Sequence, residues 1–131
     1  MRWNLVILGT LLLLLACSGR DSDLPPSYRQ LNVPGKTLAS PAAIATGRRL
    51  FVEHCALCHG KDANGQGERH SYLSNPAQNL TDPDWQEKAT PRHVYFWIRE
   101  GVAGTSMPSW KSLSEDQTWK LVAYILSLGE Q

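Results

Sequence analysis

Cys55-Ala56-Leu57-Cys58-His59 constrains this chain more than any other stretch of it. Two thiols three residues apart lie on one face of a helix, about one turn from each other. The imidazole of His59 follows at once, so three ligating groups project from one short segment. Cys-x-x-Cys-His is the attachment signature of c-type haem. At that spacing both sulfurs can reach the vinyl groups along one porphyrin edge, and the neighbouring imidazole can meet the iron. Two other thiol chemistries fit less well. A dithiol redox centre calls for a βαβ setting, and the sequence has no run of alternating strand residues. A structural zinc site needs four ligands, yet there is no second cysteine pair, and His54 with His59 gives no recognised zinc spacing.

The third cysteine belongs to a different segment. Arg2 supplies a positive start and Leu5 to Leu15 an apolar run broken only by Gly9 and Thr10, followed by Ala16, Cys17, Ser18 and Gly19. This is the layout of a secretory signal peptide. As a helix the run would reach about 16 Å, short of a bilayer core of roughly 30 Å. Leu14-Leu15-Ala16-Cys17 resembles a bacterial lipobox, so residues 1–16 are expected to be removed and Cys17 lipidated, anchoring the chain to a membrane on its extracytoplasmic side. No cysteine then remains for a structural disulfide. Loss of Arg2 takes the formal charge from +1 to zero, with no basic stripe for nucleic acid and no acidic block.

Residues 17–39 are polar, carry Pro25, Pro26, Pro34 and Gly35, and read as a flexible tether. A coil of that length spans roughly 25 to 30 Å. Residues 40–131 read as one all-α domain of three to four helices. Ser40-Pro41 opens the first helix as an N-cap with proline at the next position, and Ile44, Gly47, Phe51, Cys55 and Cys58 share a stripe. Thr90-Pro91 repeats that start, with Val94, Trp97 and Ile98 apolar and Gly101 closing the helix. Ser114 with Gln117 forms a capping box ahead of Trp119, Leu121, Val122, Tyr124, Ile125 and Leu128. The 60–90 connection is too long for an idle loop in so small a domain, and a large apolar cofactor would give it something to wrap.

An iron held by His59 in such a ring has room for a sixth ligand. Beyond Met1 the chain has one methionine, Met107, in a loop between Gly104 and Pro108 where a core filler would be out of place. Pro108 biases Met107 towards an extended backbone, which suits a side chain reaching a ring face. His70 and His93 are the alternative ligands. The stretch Asp62 to Gly67 imitates the start of a calcium loop, but Leu73 stands where a bidentate glutamate is required.

These features resemble a class I monohaem cytochrome c of the bacterial type, over roughly the last 90 residues. The resemblance implies a small all-α fold with long loops around one covalent haem c. It implies Cys55 and Cys58 as attachment points and His59 with Met107 as iron ligands. It pairs Gly47 and Phe51 with Tyr124 across two crossing helices. It suggests the Pro76 carbonyl as acceptor for the His59 ring proton, and Trp85 or Trp110 beside the haem. The implied function is electron transfer, not catalysis, because both axial positions are filled. The expected partners are a redox donor and acceptor, as in membrane respiratory or dehydrogenase complexes. The competing function is a haem peroxidase or gas-binding sensor in which Met107 is displaceable.

Overall fold

Local signals set the helix starts. In the computed structural model, which describes residues 19–130, helix α3 covers Pro41–His54, α6 covers Pro91–Glu100 and α7 covers Glu115–Ser127. Each begins where a side-chain oxygen meets an unpaired amide. Ser40 accepts from the Ala43 amide, Thr90 from the His93 amide and Ser114 from the Gln117 amide. The Gln117 side chain in turn accepts from the Ser114 amide at 2.9 Å, completing the capping box. Such a cap stabilises a helix by about 1 kcal/mol.

Shorter helices complete the set: α1, Pro26–Arg29; α2, Gly35–Leu38; α4, Ala56–His59; and α5, Pro83–Lys88. No strand occurs among the described residues. The fold is therefore all-α, with three long α-helices and four short ones among the described residues.

The centre is the crossing of α3 and α7. Phe51, Leu121 and Val122 are wholly buried there. Gly47 makes the approach possible, because a Cβ at that position would stand 1.9 Å from the Lys120 carbonyl oxygen on α7. The rings of Phe51 and Tyr124 then meet at 5.2 Å between centroids and 57°, tilted between the stacked and edge-on extremes. Helix α6 adds Val94, Tyr95 and Ile98 to this core, and Tyr95 packs on Trp119 with centroids 4.3 Å apart.

The 60–90 connection is tied down despite its composition. The Leu80 amide donates to the Ala63 carbonyl at 2.8 Å, and both residues are buried. Gln86 donates from Nε2 to the carbonyls of Leu80 and Ile125, at 2.6 and 2.8 Å, linking the loop to α7.

The segment expected to be a flexible tether behaves differently. The proposed signal peptide and Cys17 lie outside the described residues, but residues 21–38 are folded onto the domain. Leu24 is buried, and Leu31, Val33 and Leu38 pack against the core. Asp21 meets Arg92 at 3.1 Å and the Thr90 hydroxyl at 2.6 Å. Asp23 meets His93 Nε2 at 2.9 Å, and Arg92 Nε donates to the Leu31 carbonyl at 3.1 Å. Tyr28 sets its ring edge-on to Phe96, 4.8 Å away, and its hydroxyl donates to Glu100. The reason is long-range pairing, which overrides the weak local preferences of a proline-rich stretch.

This strap carries an acid response. Burial by itself raises the Asp21 carboxyl, but the hydrogen bonds from Thr90 and Arg92 and the charges of Arg92 and His93 outweigh it and hold the group below its ordinary 3.8. A depressed carboxylate contributes its full stabilisation above the unfolded value and loses it as pH falls through the folded one. Amide exchange across residues 24–38 is therefore expected to accelerate below pH 3.8, and Asp21→Asn to show that faster exchange already at neutral pH.

Candidate functional site

Helix α3 delivers the motif. It ends at Cys55, whose φ of −115° is stretched from the helical value while ψ stays at −32°, and α4 resumes at Ala56. The His59 amide donates to the Cys55 carbonyl at 2.9 Å and the Cys58 amide to the same oxygen at 3.1 Å. Cys55, Cys58 and His59 thus sit on one tight turn. Both thiols are free and half-buried. Burial, with the neighbouring Cys58, pushes the Cys55 thiol up to about 12.

The chain after the motif folds back onto it. The amides of Arg69, Gly67 and Gly65 donate to the carbonyls of Leu57, Cys58 and His59, at 2.9, 3.1 and 2.7 Å. Gly67 is packed so closely that a Cβ there would lie 2.4 Å from the Leu57 carbonyl oxygen. Backbone polar groups at the end of α4 are satisfied in this way, and the turn is held rigid.

His59 is fixed by a carbonyl, though not the expected one. Its Nδ1–H donates to the Gln78 carbonyl at 3.0 Å, two residues beyond Pro76. That bond selects the tautomer and leaves Nε2 with its lone pair and no protein partner among the described residues. Burial holds the imidazole below its ordinary range, against the opposing pull of the Gln78 carbonyl, so the ring is neutral at pH 7.

Met107 stands on the loop between α6 and α7 and is half-buried. Its amide donates to the Thr105 hydroxyl at 3.1 Å and its carbonyl accepts from the Val102 amide at 3.3 Å. Gly101 lies beneath, where a Cβ would come within 2.7 Å of the Met107 carbonyl oxygen. Ser106 Oγ accepts from the Ser74 amide at 3.2 Å, joining the methionine loop to the long loop that carries Gln78. The remainder of the methionine loop is fastened to α6 by Arg99, which donates to the Lys111 and Leu113 carbonyls, at 3.3 and 2.5 Å.

The alternative histidines are otherwise engaged. His93 has Nε2 on Asp23 of the strap and Nδ1 on the Thr90 hydroxyl at 2.9 Å, so both ring nitrogens are engaged. His70 is exposed, with Nδ1 on the Gly67 carbonyl at 2.8 Å. Of the two tryptophans expected beside a haem, Trp110 packs on His54 at 5.3 Å and Trp85 on Trp97 at 6.1 Å. Among the described residues no three His, Cys, Asp or Glu side chains gather as a metal-ion site.

The donor set fits haem c. It offers two free thiols on one turn and an imidazole whose other ring nitrogen is kept available by a backbone acceptor. The Ser74–Ser106 pair and the Gln78 carbonyl are the features that sequence reasoning did not single out. A backbone acceptor carries no residue-type signal, and two serines thirty-two positions apart carry almost none.

Residues 42–125 match the family described as cytochrome c oxidase, cbb3-type, subunit III. The chain is similar to the cbb3-type cytochrome c oxidase subunit CcoP of Rubrivivax gelatinosus, at 36% identity over 82% of this chain and 34% of that protein. It is also similar to the subunit FixP of Bradyrhizobium diazoefficiens, at 36% identity over 65% of this chain and 27% of that protein. The chain thus spans about a third of the length of the curated relatives it matches. Among solved structures it resembles a chain of the Kuenenia stuttgartiensis reducing HAO-like protein complex Kustc0457/Kustc0458. That match has a TM-score of 0.58 and 30% identity, over 68% of this chain and 44% of that one.

Proposed function

The chain belongs to the cytochrome c family of cbb3-type oxidase subunit III, and on that premise we propose that it is a membrane-anchored monohaem electron-transfer protein of the bacterial cell exterior or periplasm, serving a respiratory complex as carrier or subunit. Its cofactor is one covalently bound haem c. When bound, that group supplies an iron that takes up or gives back a single electron.

The chain's own residues do the rest. Cys55 and Cys58 would hold the porphyrin by thioether bonds, which keeps it attached in a compartment that would otherwise dilute it away. His59 would ligate through Nε2, and the Gln78 carbonyl on Nδ1 orients the ring and raises its basicity. Met107 would supply a soft neutral sulfur that favours the ferrous state and raises the potential. Val52 and Leu57, at 47% and 44% exposure, give an apolar surface beside the thiols against which a redox partner can settle. The observation that carries this reading is the Cys55–Cys58–His59 turn with its backbone acceptor. Anchoring through lipid on Cys17 is supported by the lipobox-like ending of the apolar run.

Met107→Ala tests the reading. The holoprotein is expected to keep its haem, to show a lower midpoint potential, and to bind carbon monoxide stoichiometrically when reduced, whereas the unaltered protein binds almost none. An unchanged potential together with unchanged carbon monoxide binding would exclude Met107 as ligand. Ready binding by the unaltered protein would favour a gas-binding function.

A further inference from the structure

The strap over residues 21–38 is pinned along the whole of α6. At the N-terminal end of that helix Asp21 and Asp23 engage Thr90, Arg92 and His93; at its C-terminal end Tyr28 engages Phe96 and Glu100. Leu24 is buried between these points, and α2 beyond them lies against α7. The first residue fixed in this way is Asp21. From Cys17 to Asp21 the chain can reach at most about 14 Å, where a loose 22-residue tether would have a root-mean-square span of about 25 Å and a far longer full reach. Arg20 and Lys88 flank this pole, both exposed and with no ion-pair partner among the described residues, beside the exposed carboxylates of Asp23, which faces His93, and Glu87.

We propose that residues 21–38 are a rigid mount that holds the domain against an anionic lipid surface with the N-terminal end of α6 facing it. Electrons are then exchanged with a membrane-bound partner in one orientation, and not by a domain swinging on a leash. This rests on the lipid anchor proposed at Cys17. The two flanking cations meet anionic headgroups, and the short reach from Cys17 leaves the domain little room to turn over.

Depth measurement on reduced holoprotein tests it. A nitroxide is attached at Ser22→Cys, an exposed, uncharged position beside the N-terminal end of α6, or at Ser112→Cys, beside its C-terminal end. The two sites are separated by about the 15 Å length of that helix. The protein is bound to phosphatidylethanolamine/phosphatidylglycerol vesicles carrying a nickel-chelating lipid, and relaxation of each label is read together with the fraction of protein that sediments with the vesicles. The Ser22 label is expected to relax several-fold faster than the Ser112 label. A ten-residue Gly/Ser insertion between Gly19 and Arg20 is expected to bring the two within twofold while sedimentation is unchanged. Equal relaxation in the uninserted protein, or a difference that survives the insertion, would overturn the mount and leave the anchor standing. Failure to sediment would overturn both.

Discussion

Combining Cys55→Ser with Cys58→Ser is expected to abolish covalent haem altogether. After denaturation and acid extraction the polypeptide should be colourless and of unmodified mass, where the unaltered protein stays red. The effect is all-or-none in attachment and large in stability. The 60–90 connection and the methionine loop are held to each other by few contacts, of which the Ser74–Ser106 pair is one. Either cysteine alone should leave partial, weaker attachment through the other. A double variant that retained the haem mass would refute the assignment of both thiols.

Gly47→Ala is expected to destabilise the holoprotein by about 3 kcal/mol or more, at the upper end of what overpacking costs. Alanine in a helix interior ordinarily gains about 1 kcal/mol over glycine, so the sign of the change is diagnostic. Here the new methyl would meet the Lys120 carbonyl oxygen at 1.9 Å, its carbon at 2.7 Å and Tyr124 Cβ at 2.9 Å. None of these is the end of a flexible side chain. Relief requires α3 and α7 to move apart, which also separates Phe51 from Tyr124. Gly35→Ala provides the contrast, because a Cβ at Gly35 in α2 meets nothing within 4 Å. Denaturant unfolding should show the first variant less stable and the second unchanged or slightly more stable. A neutral Gly47→Ala would mean that this helix crossing is looser than described.

These two sites show what could be read from the residues alone. The cysteine pair and its histidine are local, and so are the caps at Ser40, Thr90 and Ser114, because each depends on neighbours within a few positions. The Gly47–Phe51 spacing was legible as one face of a helix, and its pairing with Tyr124 came from family likeness. The strap was not legible. Residues 20–39 show no period, and their fixation depends on Asp23 finding His93 seventy residues away. That same pairing explains why His93, a reasonable ligand on paper, is committed elsewhere. The acceptor for His59 was placed two residues short, at Pro76 where Gln78 serves, because any residue can offer a carbonyl and only the path of the loop decides which one does.

The backfolding of residues 65–69 over the motif bears on how the protein comes to be made. Three successive carbonyls, those of Leu57, Cys58 and His59, are covered by amides from further along the chain, and Gly67 is seated with no space for a side chain between them. Any assembly enzyme that grips this stretch as an open strand must act while those amides are still unengaged. For an enzyme that acts in that way, pigment loading would have to come first and loop closure second. A polypeptide that closed too early would shut the machinery out of its own recognition sequence.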